Sequence, residues 1–89
     1  MTYAITQLIQ HELTARCWRK SELVAAMGYK NITRGLKRLE KCMREGDCSN
    51  VEMLSRLRRA FGLSADQFSA TLAETRRQRT TLIGIVDRR

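Results

Sequence analysis

The stretch Ser21-Glu22-Leu23-Val24-Ala25-Ala26-Met27-Gly28-Tyr29-Lys30-Asn31-Ile32-Thr33-Arg34-Gly35-Leu36-Lys37-Arg38-Leu39 decides how this chain folds. Ser21 can accept from the amides of a following turn, so it opens a very short helix in which Leu23, Val24 and Met27 face inward. Gly28 stops that helix, because a residue without a Cβ adopts positive φ freely and lets the chain reverse direction. Another helix then starts at Lys30 or Asn31. Along it Ile32, Leu36, Leu39 and Met43 recur at i, i+4, i+7 and i+11, a narrow stripe that has to be buried, and the pattern runs to about Glu45 before Gly46.

Working outward, residues 3–16 place Ile5, Leu8, Ile9 and Leu13 at helical spacing, with Thr2 as the expected N-cap. On the other side, Ser49 and Glu52 form a capping box ahead of Leu54, Leu57 and Phe61. Gly62 sits where a left-handed C-terminal residue belongs, Leu63 closes over the last turn, and Ser64 with Gln67 caps a fifth helix carrying Phe68 and Leu72. Charge replaces pattern around Arg76 to Arg79, where fraying is expected. The segment Thr80-Thr81-Leu82-Ile83-Gly84-Ile85-Val86 is β-branched and apolar, unlike everything before it. A lone strand cannot stand in a monomer, so three arrangements follow: pairing with a second subunit through Leu82, Ile83, Ile85 and Val86, packing back as an extended arm, or a disordered tail. The fold class is thus all-α, a compact four- to five-helix bundle over residues 1–79, with residues 80–89 as a C-terminal extension that is a candidate dimerisation strand.

Eighty-nine residues allow one domain, and 43% hydrophobic with 29% charged residues is enough for a core. Seventeen Lys plus Arg against nine Asp plus Glu leave a net charge of +8, which points to a polyanionic partner. No apolar run is long enough to cross a bilayer and no signal-peptide pattern opens the chain, so a soluble, cytoplasmic protein without a membrane partner is expected. Cys17, Cys42 and Cys48 include no Cys-x-x-Cys pair and His11 is far from them in sequence, which argues against a disulfide framework, a metal site or any cofactor. Reduced cysteines are expected, with a Cys42–Cys48 contact as the alternative under oxidation. His11 has no nucleophile or carboxylate constellation around it, and no phosphate-cradling glycine loop occurs, so neither an enzyme nor a small-molecule substrate is expected.

The charge is concentrated. From Arg16 to Arg44 there are nine basic residues (Arg16, Arg19, Lys20, Lys30, Arg34, Lys37, Arg38, Lys41, Arg44) and two acidic ones (Glu22, Glu40), a net +7, while the rest of the chain sums to +1. Turning about 100° per residue from Ile32 puts Lys41 opposite the apolar stripe, with Arg34, Lys37, Arg38 and Arg44 around it. A surface helix normally mixes its signs. Here Arg34 with Arg38, and Lys37 with Lys41, are like-charge i, i+4 pairs costing about 0.2–0.5 kcal/mol each, a repulsion that an anionic ligand would relieve.

A short helix, a glycine turn and a following helix with a basic outer face is the helix-turn-helix arrangement. Residues Ser21 to Tyr29, the basic helix, and Ser49-Asn50-Val51-Glu52-Met53-Leu54-Ser55-Arg56-Leu57-Arg58-Arg59-Ala60-Phe61-Gly62-Leu63-Ser64 together resemble the lambda-repressor-like (Cro/repressor, XRE-type) DNA-binding domain over residues 5–75. Three features depart from that pattern. Ser21 and Glu22 stand where the family commonly has a glutamine, Val24 stands where a small residue lets the two motif helices approach, and the stretch from Gly28 to Leu36 and Leu39 is about two residues longer. The resemblance therefore implies a recognition helix that is shifted or tilted.

What the resemblance implies is a sequence-specific transcriptional regulator, a small repressor or autoregulator of phage or mobile-element type, reading the major groove with residues 31–45. Asn31, Thr33, Arg34, Lys37 and Arg38 are the base-reading candidates, and Arg16, Arg19, Lys20, Lys30, Lys41 and Arg44 the phosphate-binding ones. The expected partners are double-stranded DNA with an inverted repeat and a second copy of the chain, because one module this small offers limited contact. Tyr29 and Trp18 fit core roles better than contacts to nucleic acid. A different class of function remains beside this one: a protein-interaction module or phage-type inhibitor whose cationic face blocks a nucleic-acid-binding partner. RNA binding is disfavoured by the low aromatic content of 6%.

Overall fold

Glycines and short polar side chains set most of the helix boundaries in the computed structural model of the chain, which describes the backbone of residues 2–87 and the side chains of residues 2–80. The five helices are α1 (Ala4–Arg16), α2 (Lys20–Ala26), α3 (Ile32–Glu45), α4 (Val51–Phe61) and α5 (Ala65–Asp87). Gly28 between α2 and α3 has φ +88°, so a side chain there would be strained and the chain turns without that cost. Asn31 caps α3, its Oδ1 accepting from the Arg34 amide at 3.1 Å, and Ser64 caps α5 by accepting from the Gln67 amide at 3.1 Å. Gly62 ends α4 with the Leu63 amide reaching back to the Arg58 carbonyl at 3.1 Å.

Two helix starts differ from the sequence expectation, by one residue at α4 and by two at α2. Asn50, not Ser49, caps α4 by accepting from the Met53 amide at 3.0 Å, because Ser49 is engaged with Asp47, to whose Oδ1 it donates both its amide (3.0 Å) and its hydroxyl (2.6 Å). Similarly, α2 begins before Ser21, with the Glu22 carboxylate accepting from the Arg19 amide at 3.1 Å.

The N-terminus of α1 is capped from the far end of the chain. Thr2 does not cap it, and Tyr3, which precedes the helix, makes no side-chain cap bond. Instead Gln78 Oε1 accepts from the Ala4 amide and Thr75 Oγ1 from the Ile5 amide, each at 2.9 Å. Thr75 is completely buried and donates its own proton to the Thr71 carbonyl at 2.9 Å. A buried amide left without an acceptor is expensive, so these bonds tie the first helix to the last. They also explain why α5 does not fray at Arg76 to Arg79: the turn between Thr75 and Gln78 is held against α1.

Ile5, Ile9, Leu23, Leu39 and Leu57 are completely buried, and with Val24, Met53, Phe61 and Phe68 they form a single core to which all five helices contribute. Burying each such side chain is worth about 1.5–3 kcal/mol, which makes this cluster the main source of cohesion. α1 packs on α5 and on α3, and α2 packs on α3 and α4. One buried polar bond, Thr6 Oγ1 donating to the Met43 carbonyl at 2.6 Å, joins α1 to the last turn of α3.

The expected C-terminal strand is not formed. Residues 80–86 continue α5 as helix to Asp87, and no strand occurs among the described residues. Adding residues to an established helix avoids the nucleation cost, and β-branched residues lose only a few tenths of a kcal/mol in a helix. Nothing in 80–86 except Gly84 breaks helical pattern, and the chain contains no proline. The side chains of Leu82, Ile83, Ile85 and Val86, the expected dimerisation set, lie outside the described residues.

Cys42 and Cys48 are buried and Cys17 is exposed, all three as free thiols. Burial, reinforced by the neighbouring Cys48 and Asp47, pushes the Cys42 thiol up to about 12, and burial raises Cys48 as well. Both stay protonated and unreactive near neutral pH.

Two outcomes follow from this packing. Thr75→Val, which removes the acceptor for the Ile5 amide at nearly constant volume, is expected to lower stability by about 1–3 kcal/mol in urea denaturation, while Thr75→Ser keeps most of it. Alkylation by iodoacetamide at pH 7.5 should modify Cys17 rapidly in the folded protein, and Cys42 and Cys48 only after denaturant is added; equal labelling of all three without denaturant would contradict the burial described.

Candidate nucleic-acid interface

The candidate site is the outer face of α3, and its aim is set by how closely α3 approaches α2. The buried positions of α3 are Gly35, Leu39, Cys42 and Met43, while Ile32 and Leu36 are only half-buried. The inward face is therefore rotated by about 45° from the expected stripe, toward Gly35. Gly35 is the reason. A Cβ built on it would lie 2.4 Å from Val24 Cγ1 and 3.1 Å from the Tyr29 ring, so only a glycine allows the two helices to sit this near. The small residue expected on the short helix is thus supplied by the other partner: Val24, completely buried, fills the gap that Gly35 leaves.

The rotation re-aims the charges. With about 100° per residue, the direction opposite the buried face falls on Lys37, flanked by Lys41 and Arg44, with Thr33 and Arg34 further round and Arg38 at the rim. Lys30, Thr33, Arg34, Lys37, Arg38, Lys41 and Arg44 are all exposed. Among the described residues no carboxylate lies within ion-pair distance of Arg19, Lys20, Lys30, Arg34, Lys37 or Arg38. Lys41 is 3.9 Å from Asp47 and Arg44 is 3.2 Å from Glu45, but the side chains of these cations remain 59% and 74% exposed, so their charge is available to a ligand. Arg19 and Lys20 stand exposed at the start of α2.

Two residues of the expected set have other roles. Arg16 is turned into the structure: it pairs with Glu12, donates to the Phe61 carbonyl at 2.7 Å, and lies 5.7 Å and 5.2 Å from the Trp18 and Phe61 ring centres. Those contacts hold the ends of α1 and α4 together, so Arg16 is a structural residue. Asn31 commits its Oδ1 to capping α3, leaving its Nδ2 as the free donor and weakening its fit to adenine, which needs donor and acceptor together. Trp18 stacks on Phe61 with centroids 6.3 Å apart, and Tyr29 packs against Gly35 under the Arg56 guanidinium, 5.3 Å from its ring. Both aromatics are thus packing residues.

Arg56 adds a further constraint that sequence reasoning missed. It donates to the Met27 carbonyl at 3.0 Å and to Glu52 at 3.1 Å, which fixes the end of α2 onto α4 beside the Gly28 turn. Its signal in the sequence is faint, since a basic residue at the edge of an amphipathic helix usually points to water. Gly35 carried a clearer signal: an interior helical glycine costs about 1 kcal/mol against alanine and marks a close approach when no turn requires it.

No family model matches the chain, and neither the curated proteins nor the solved structures contain a significant match.

Gly35→Ala gains about 1 kcal/mol of helix propensity but overpacks against Val24 and Tyr29, which costs about 1–3 kcal/mol. The expected result is a lower urea midpoint in the otherwise unchanged chain. In a Val24→Ala background the same substitution should raise the midpoint, because the new methyl fills the space vacated by valine.

Proposed function

We propose that this chain binds duplex DNA sequence-specifically, with α3 lying in the major groove as the second helix of a helix-turn-helix. The observation that carries the reading is the outer face of α3: a rigid helix, pinned by α2 and α1 along its buried side, presents Lys30, Arg34, Lys37, Lys41 and Arg44 to solvent with, among the described residues, only two weak carboxylate contacts. A groove-width rod of positive charge, with one face free over its whole length, suits the major groove.

In this reading Thr33, Arg34 and Lys37 reach base edges: the arginine and lysine donate to guanine O6 and N7, and the threonine methyl meets thymine. Arg19, Lys20, Lys30, Arg38, Lys41 and Arg44 hold phosphates and set the register. Two copies on an inverted repeat would supply the contact area that a single module lacks, and a transcriptional repressor or autoregulator is the simplest role for such a protein.

A second reading, in which the chain engages a protein, has one observation behind it. Val51 is 72% exposed beside a groove lined by Leu54, Phe68 and Leu72 between α4 and α5. A chain of that kind would bind DNA weakly and without preference.

Gel shift against random duplex and against selected sites separates the two. The DNA reading expects a site preferred roughly 10³-fold over random duplex, and a slope of log K against log salt near −5 for about six phosphate contacts per chain. Arg34→Ala should relax base preference at one position, costing about 1–3 kcal/mol there, while Lys41→Ala should weaken all duplexes about equally. Uniformly weak binding to every duplex, unchanged by either substitution, would favour the protein partner.

A further inference from the structure

The cationic surface does not end with α3. Asp47, in the turn between α3 and α4, lies 3.9 Å from Lys41 on α3 and 3.9 Å from Arg79 on α5, so one carboxylate links the two helices' charges. Its two hydrogen bonds from Ser49, and then the nearby Lys41 and Arg79, hold its carboxyl below the ordinary range, and it is ionised at neutral pH. A single negative charge thus faces two cations. A third, Arg76, stands one helical turn before Arg79, exposed and without a carboxylate within ion-pair distance among the described residues.

Arg76 and Arg79 line one cleft with Gly46, Cys48 and Ser49, at the C-terminal end of α3. The adjacent Arg77 is different. It pairs with Glu74 on its own helix and does not line this cleft.

We infer that Arg76 and Arg79 form a second phosphate clamp, which takes the DNA backbone where it leaves the α3 face, with Asp47 as the charge that the phosphate replaces between Lys41 and Arg79. Continuity of charge supports this occupant, since the clamp adjoins Lys41 through Asp47, and the planar guanidinium fork matches phosphate oxygens two at a time. The inference rests on the proposed reading of α3 as a DNA-binding helix. It adds a contact on α5, outside the helix-turn-helix itself.

The test is fluorescence anisotropy of the full chain with a labelled random-sequence DNA duplex, over about 50–200 mM salt. Arg76→Gln/Arg79→Gln should reduce the steepness of log K against log salt by about 2, because each lost phosphate contact removes about 0.9. Arg77→Gln should leave the slope unchanged, and Asp47→Asn, which keeps the acceptor for Ser49, should tighten binding several-fold. A double variant with the slope of Arg77→Gln, or an Asp47→Asn variant no tighter than the unaltered chain, overturns the clamp. If in that case Lys37→Gln/Lys41→Gln still loses slope, the α3 reading survives alone; if the unaltered chain binds no duplex at all, both fall. Circular dichroism of each variant separates lost contacts from lost fold.

Discussion

The contact between Gly35 and Val24 determines where this protein's charge points. Two helices can approach this closely only if one of them gives up its side chain at the crossing, and the missing volume is taken by a stiff, fully buried valine from the other. Because α3 is held by this crossing and, through Thr6 and the Met43 carbonyl, by α1, its rotation about its own axis is set by packing. Lys37 faces outward as a consequence of where Gly35 sits. The rest of the fold maintains that arrangement: Arg56 fastens the end of α2 to α4, and Thr75 and Gln78 fasten α1 to α5.

The energetics allow a helix to carry so uneven a surface. Like-charge pairs along the outer face cost about 0.2–0.5 kcal/mol each, whereas Leu39 and Cys42 on the same helix are almost completely buried and a large apolar side chain contributes about 1.5–3 kcal/mol on burial. Packing therefore outweighs repulsion, and the unrelieved charge is tolerated without unfolding the helix. The contrast between Arg16 and Arg44 is instructive: each lies beside a glutamate of its own helix, but Arg16 also donates to the Phe61 carbonyl and is 32% exposed, whereas Arg44 keeps 74% of its side chain exposed. Charge count alone does not separate the two kinds of arginine; how far each side chain is held out of solvent does.

Much of the fold was legible from local signals. Glycines at 28, 46 and 62 marked the turns because each needs positive φ, and Asn31 and Ser64 sit where short polar residues cap helices. The two helix-start errors at α2 and α4 turn on neighbours two or three residues away, whereas the larger errors share one cause, which is that the deciding partner lies far away in sequence. The cap of α1 comes from residues 70 and 74 positions away, and no local pattern around Thr2 could reveal it. Residues 80–86 have β-branched composition, but an upstream helix anchored at Thr75 and Gln78 carries them along. For the site, the exposure of α3 was readable from periodicity and charge, whereas the inward turn of Arg16 and the bridging place of Asp47 depend on Phe61, Trp18 and Arg79, which only the folded chain brings near.

The account depends on α3 being the surface that meets DNA, and amide chemical-shift mapping by NMR tests that most directly. On titration with duplex, the largest shifts are predicted at residues 30–41, with smaller ones at the start of α2 and around Asp47. Shifts concentrated on Val51, Leu54, Phe68 and Leu72 between α4 and α5, with α3 unmoved, would contradict it.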